Sequence, residues 1–200
     1  MFYNAEKKDH GLPHDPFKAI VTPRPIGWIS SQDEQGRHNL APYSFFNAVS
    51  DTPPIVMFSS DGMKDSAKNA KSSGVFACNI ATYALKDAMN ASSANLDHGV
   101  SEFERAGLTP VSCKLIDAPM IAEAGIVLEC QTLEVKPLID RNGKEAAYTM
   151  VLGQVLGVHI ADDFIADGFL DITAVMPIAR LGYRDYAVIN EVFQLTRPIT

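Results

Sequence analysis

Two long runs of strand-forming residues, Gly125–Leu138 and Ala146–Ala161, flank Arg141-Asn142-Gly143-Lys144. Asn-Gly readily takes the positive φ angles of a tight two-residue turn, so the runs are expected to fold back on each other as an antiparallel hairpin. Along Val155–Ala161, strand alternation puts Leu156, Val158 and Ile160 on one face. Val155, Gly157, His159 and Ala161 share the other, so His159 stands among small residues where a flat ligand could approach.

The first half repeats the β pattern in shorter pieces. Lys18–Thr22, Ile26–Ser31 and Ile55–Phe58 read as strands, with Pro23 and Pro25 disturbing the ends of the first two. Asp33–Arg37, with Gly36, reads as a hairpin loop. Asn39–Val49 contains Pro42 and reads as a strand that bends around something. Helices are fewer. Lys64–Ser73 ends at Gly74, Thr82–Ala91 has Thr82 as a cap, and Ser101-Glu102-Phe103-Glu104 fits a capping box that Gly107 terminates. Asp162–Asp171 reads as turn or short helix, and Ile178–Ile199 as irregular with one or two short strands.

These helices do not alternate regularly with the strands, which argues against a doubly wound sheet. The expectation is a mainly β chain with six or seven strands and two or three helices, an antiparallel barrel of Greek-key type. No break in composition divides residues 1–200, so one domain is expected.

A net charge of −7 disfavours general binding to nucleic acid or an anionic membrane, though one anion held by local cations remains possible. No apolar run approaches the roughly 20 residues of a membrane span. Residues 1–16 lack the apolar segment of a signal peptide. Cys78, Cys113 and Cys130 are odd in number and widely spaced, which fits buried apolar roles in a reducing cytoplasm.

The standard nucleotide loops are absent, as are G-x-S-x-G and H-E-x-x-H. His10, His14 and Asp15 have a metal-like spacing, but Gly11 and Pro13 oppose the helix that would align them, so no metal is expected.

The richest polar and aromatic stretch runs from Arg24 to Ser66. A flat cofactor with one phosphate needs an apolar slot for its ring, and hydroxyls, N–H groups and a cation for its phosphate. Ser44 and Ser59 offer hydroxyls, and Lys64 precedes a helix whose first N–H groups, near Asp65 and Ser66, are unsatisfied. The alternative is that the Ser and Asn residues serve turns, Lys64 is solvated and the aromatics are core. Phe45 and Phe46, if extended, point to opposite faces, so one of them belongs to the core either way.

Arg24-Pro25-Ile26-Gly27-Trp28-Ile29-Ser30, Asn39-Leu40-Ala41-Pro42-Tyr43-Ser44-Phe45-Phe46-Asn47, Pro53-Pro54 and Lys64-Asp65-Ser66 follow one another in order. Further on come Phe103–Pro110, Leu128-Glu129-Cys130, Gly153–His159 and Ala179–Tyr183. Together they resemble the flavin reductase-like family of FMN-binding split β-barrel proteins. The resemblance implies a homodimer with FMN held noncovalently near the subunit interface, reduced by NAD(P)H. Electrons would pass on to free flavin, oxygen or a partner oxygenase; an electron carrier of flavoredoxin type, without nicotinamide turnover, is the alternative.

The resemblance also implies site residues. Trp28, Ser30, Asn39, Ala41, Pro42, Tyr43, Ser44, Phe45, Phe46 and Asn47 would line the flavin. Ser59, Ser60, Lys64, Asp65 and Ser66 would hold its phosphate end. Arg180 would reach the cofactor unless it pairs with a carboxylate such as Asp185. His159, the one catalytic candidate, would lie near the ring unless it is a satisfied barrel histidine. Many relatives carry Gly-Gly after Arg-Leu where this chain has Gly182-Tyr183, a departure that bears on the pocket.

Overall fold

The computed structural model describes residues 1–94 and 100–198. Its main sheet has seven antiparallel strands: β1 Gly27–Gln32, β2 His38–Tyr43, β3 Phe46–Asp51, β4 Pro54–Asp61, β5 Val75–Ile80, β6 Ile126–Ile139 and β7 Glu145–Ile160. Their spatial order is β2-β1-β5-β6-β7-β4-β3. The hairpin expected at Asn142-Gly143 is there. Gly143 has φ 81°, and the Asp140 carboxylate accepts N–H bonds from Asn142 and Lys144. The β6–β7 ribbon bends at three register shifts, which lets long strands wrap rather than lie flat.

The two edge strands, β2 and β3, are consecutive in the chain, so Ser44-Phe45 steps from one edge of the rolled sheet to the other. Cross-strand pairing assigns the faces. Ile29, Phe46, Val56, Phe58, Phe76, Cys130 and Val151 fill the barrel interior. Trp28, Leu40, Phe103 and Ile121 form a second core outside it, under α3 (Lys86–Ala91) and α4 (Glu102–Ala106).

Helix α2 (Asp65–Ser73) lies against the barrel interior. Ala67 and Ala70, both fully buried, are small enough to let its backbone approach, and Gly74 ends it at φ 74°.

Some expectations change. Lys18–Thr22 is not a strand: α1 spans Phe17–Ile20. The segment has no strand beside it. Its carbonyls at Lys18 and Val21 instead accept bonds from the Arg24 guanidinium, so tertiary contacts override β propensity. Asn39–Val49 breaks at Ser44-Phe45 into β2 and β3. Thr82 and Ser101 make no side-chain cap. The Tyr83 N–H bonds to Met176 O, and the Glu102 carboxylate accepts from Leu40 N. The 162–171 stretch is a 3-10 turn (Asp162–Phe164) followed by a small hairpin. Strands Ile178–Arg180 and Tyr186–Val188 join Arg24–Pro25 in a three-stranded sheet; Ile199, at the end of the expected tail, lies outside the described residues.

Gly153 shows how tightly the interior is filled. A Cβ there would sit 2.4 Å from Phe76 Cζ and 3.1 Å from Cys130 Cβ. Gly153→Ala is expected to cost about 1–3 kcal/mol, read as a lower denaturant midpoint at an unchanged slope.

Candidate cofactor site

The Ser44-Phe45 step divides the candidate residues between two adjoining surfaces. On the inner one, Tyr43 turns into the barrel with its ring 4.8 Å from that of Phe58. Its hydroxyl lies beside those of Ser66 and Ser60; burial pushes the phenol's pKa up, and the two hydroxyls pull part of the way back. Asn39 Nδ2 donates to Ser66 Oγ at 2.8 Å. Ser60 Oγ is buried and lacks a hydrogen bond of good geometry.

These groups gather at the head of α2, whose first turn has no side-chain cap. Lys64 stands there in extended conformation, solvent-exposed, with no ion pair among the described residues. Asp65 pairs with Lys68 at 3.3 Å. Asn39, Tyr43, Ser60, Lys64, Asp65 and Ser66 are thus brought together.

On the outer surface, Phe45 is half-buried, 5.4 Å from the Tyr148 ring. Its carbonyl accepts from Ser59 N at 2.8 Å, and the Ser59 hydroxyl makes a long 3.5 Å bond to Thr149 O. Lys18 Nζ and Arg24 Cζ lie 5.8 and 5.9 Å from the Phe45 centroid. Ser44, Ala41 and Pro42 are half-buried, with Ala41 paired to Ile29 and Pro42 to Trp28. Phe46 is the member of the pair that enters the core, and Asn47 is exposed, with its side-chain oxygen held by Ala48 N.

Two expected wall residues face elsewhere. Trp28 and Ser30 are fully buried on the other face of β1 from Ile29. Trp28 Nε1 donates to Ser92 Oγ, and Ser30 Oγ donates to Pro119 O while accepting from Asn79. With every polar atom engaged inside the chain, they support the strand rather than meet a ligand.

Arg180 does not pair with Asp185. Its guanidinium donates to the Tyr183 carbonyl and stacks over Tyr186 at 4.5 Å. Tyr183 has φ 54°, a left-handed angle that glycine takes without strain and that tyrosine takes at a cost. Its ring is exposed and lies 5.6 Å from that of His14. His10 and Asp15 go to other local contacts, with Leu12 N and with Lys8 and Phe17 N.

His159 sits ten residues beyond Thr149 along β7, roughly 30 Å of extended chain. Within one chain it is therefore remote from the head of α2. Its Nε2 meets Glu129 Oε1 at 2.5 Å, beside a cavity of about 470 Å³ that includes Lys114 and Met120. Glu129 is fully buried and also accepts the backbone N–H groups of Lys114 and Leu115 at 2.7 and 2.6 Å. Burial alone would raise its pKa; the His159 bond and the two backbone donors outweigh this and hold the carboxyl below its usual range.

A second cavity, about 610 Å³, opens between the Asp33–Arg37 turn and α4. Its wall carries Asp33, Glu34, Asp65, Glu102 and Glu104 against Arg37 and Lys68, and it shares Asn39 and Asp65 with the group at the head of α2.

Sequence reasoning passed over Lys18, Arg24, Tyr148 and Glu129. A lone carboxylate in the apolar run Val127–Cys130 was the available signal for Glu129, because an ionised group is rarely buried without partners.

The flavin reductase like domain family matches residues 20–175. An uncharacterised protein of Halalkalibacterium halodurans is 36% identical over 183 residues, 89% of this chain and 87% of its own length. The crystal structure of nitrilotriacetate monooxygenase component B from Bacillus cereus has a TM-score of 0.87 at 31% identity, covering 98% of each chain. That of Pseudomonas fluorescens 2-nitrobenzoate 2-nitroreductase has a TM-score of 0.84 at 26% identity, covering 99% of this chain and 96% of the other. The chain belongs to the flavin reductase-like family, and its barrel is the split barrel of that family.

Glu129→Gln replaces an acceptor oxygen with a donor facing N–H groups. It is expected to destabilise the fold by about 2–3 kcal/mol at neutral pH. Because the native carboxyl is depressed, its stabilising contribution is present above the unfolded pKa and is lost as pH falls through the native one. The variant's deficit should therefore be full above about pH 5 and shrink on acidification, as measured by denaturant titration at several pH values.

Proposed function

We propose that this chain is an NAD(P)H-dependent oxidoreductase that binds FMN noncovalently as a homodimer, with the flavin phosphate at the head of α2. The observation that carries the reading is the convergence there of Tyr43, Ser60 and Ser66 hydroxyls on an uncapped helix start, with Ser60 Oγ buried and lacking a hydrogen bond of good geometry and Lys64 in no ion pair among the described residues. Hydroxyls, first-turn N–H groups and one cation are what a phosphate dianion requires. The residues present fit the group.

In this reading Lys64 and Ser66 hold the phosphate, while Asn39 and Tyr43 keep the Ser66 hydroxyl oriented. Ser44, Phe45 and the backbone between them border the ring, and their N–H groups supply donors for negative charge on it. Bound FMN supplies the hydride chemistry itself, which accounts for the lack of an acid–base pair at this surface. The electrons leave for free flavin, oxygen or a partner oxygenase. The partner-oxygenase reading is supported by the monooxygenase component among the structural relatives. No described helix is long and apolar enough to cross a membrane, and three free cysteines fit a reducing cytoplasm.

Protein incubated with FMN and desalted should stay yellow and bleach anaerobically with NADH or NADPH; a colourless protein overturns the reading. Lys64→Ala should weaken FMN binding by on the order of 1–3 kcal/mol. Riboflavin, which lacks the phosphate, should be much less affected. An unchanged FMN dissociation constant would remove Lys64 from the site.

A further inference from the structure

Two cations, Lys18 and Arg24, lie over the Phe45 ring, and a third, Arg180, pairs across the strands with Arg24; among the described residues none of the three is within ion-pair distance of a carboxylate. Arg24 is the most confined, 7% exposed. Its Nη1 donates to Lys18 O and Val21 O, and its Nη2 to Leu181 O at 2.8 Å. Its Nε is buried with no partner. Carbonyl dipoles satisfy N–H groups but do not cancel a net charge, and a buried guanidinium without a counter-ion is costly.

A second cation makes this worse. Arg180 is Arg24's direct partner across the antiparallel pairing, and its charge adds to burial in opposing the charged state of Arg24. Lys18 completes the group from α1, its Nζ over the Phe45 ring. In a chain with a net charge of −7, a cation cluster free of acids around one buried arginine is conspicuous.

We infer that Lys18, Arg24 and Arg180 form, at Phe45, a binding site for a phosphoryl group of a nucleotide. Lys18 and Arg180, which keep solvent exposure, make the contact; Arg24 supplies charge from behind while bolting α1 to the strand of Arg180. The inference rests on the flavin reading only for the choice of nucleotide. The phosphoryl group belongs to the pyrophosphate of the nicotinamide dinucleotide or, if the head of α2 does not hold the flavin phosphate, to the flavin mononucleotide.

The test uses the full chain and inorganic pyrophosphate as first probe, by calorimetry at low salt. Wild-type protein should bind it, and Lys18→Gln and Arg180→Gln should each weaken binding roughly tenfold. Arg180→Lys, which keeps the charge and guards against misfolding of the Gln variant, should retain most of it. No binding to wild type, or equal binding to the Gln variants, overturns the proposal.

Two further arms identify the source. If the variants lose the preference for FMN over riboflavin, the group is the flavin's phosphate. If that preference holds, and NADH or NADPH instead loses its advantage over reduced nicotinamide mononucleotide, the group is the dinucleotide's pyrophosphate. If neither preference moves, the proposal fails. A protein that stays colourless with FMN but binds pyrophosphate through Lys18 and Arg180 would remove the flavin reading and leave this site standing.

Discussion

The step through Ser44-Phe45 is the constraint on which the barrel and its surface both depend. Two edge strands of one sheet must be joined by two residues, so the edges are drawn together and the sheet is forced to roll. Phe46 then enters the interior directly over Gly27, where a Cβ would lie 2.5 Å from the ring. Phe45 is turned outward by the same alternation, towards Tyr148, Lys18 and Arg24. One local geometry thus closes the core and presents the aromatic around which the cations gather.

Among the described residues, the two most buried charges, Glu129 and Arg24, are handled in opposite ways. Glu129 has two backbone donors and His159, a set that satisfies its oxygens and fixes the 114–115 backbone against the barrel. Arg24 has carbonyls only, and the charge of Arg180 beside it carries the same sign. The first arrangement is complete within one chain. The second is electrostatically unfinished, which is the condition expected of a surface that meets an anion rather than one that merely holds a fold.

The hairpin, the α2 helix with its Gly74 stop and the inward turn of one phenylalanine were legible because each rests on short-range rules: turn chemistry, left-handed glycine and strand alternation. Which of Phe45 and Phe46 goes inside was not legible, since alternation fixes opposition but not sign. Trp28 and Ser30 were misplaced for the same reason. The face that a strand residue takes is decided by its partners, here Pro42 and Asn79 opposite Trp28, which lie far along the chain. The α1 segment failed differently: its β-branched residues found no neighbouring strand, and a guanidinium captured their carbonyls.

His159 carries the argument one step further than a single chain allows. It lies roughly 30 Å of strand away from the head of α2. In the proposed reading, the two surfaces could serve one flavin only if they came from different copies of the chain. In an isologous pair each copy would offer its α2 head to one flavin and its β7 end to the other, giving two equivalent sites from one kind of contact. The Glu129 anchor then matters beyond stability. It bonds both His159 and the 114–115 backbone, and in the proposed homodimer it would brace the remote end of β7 as a wall for the partner's site.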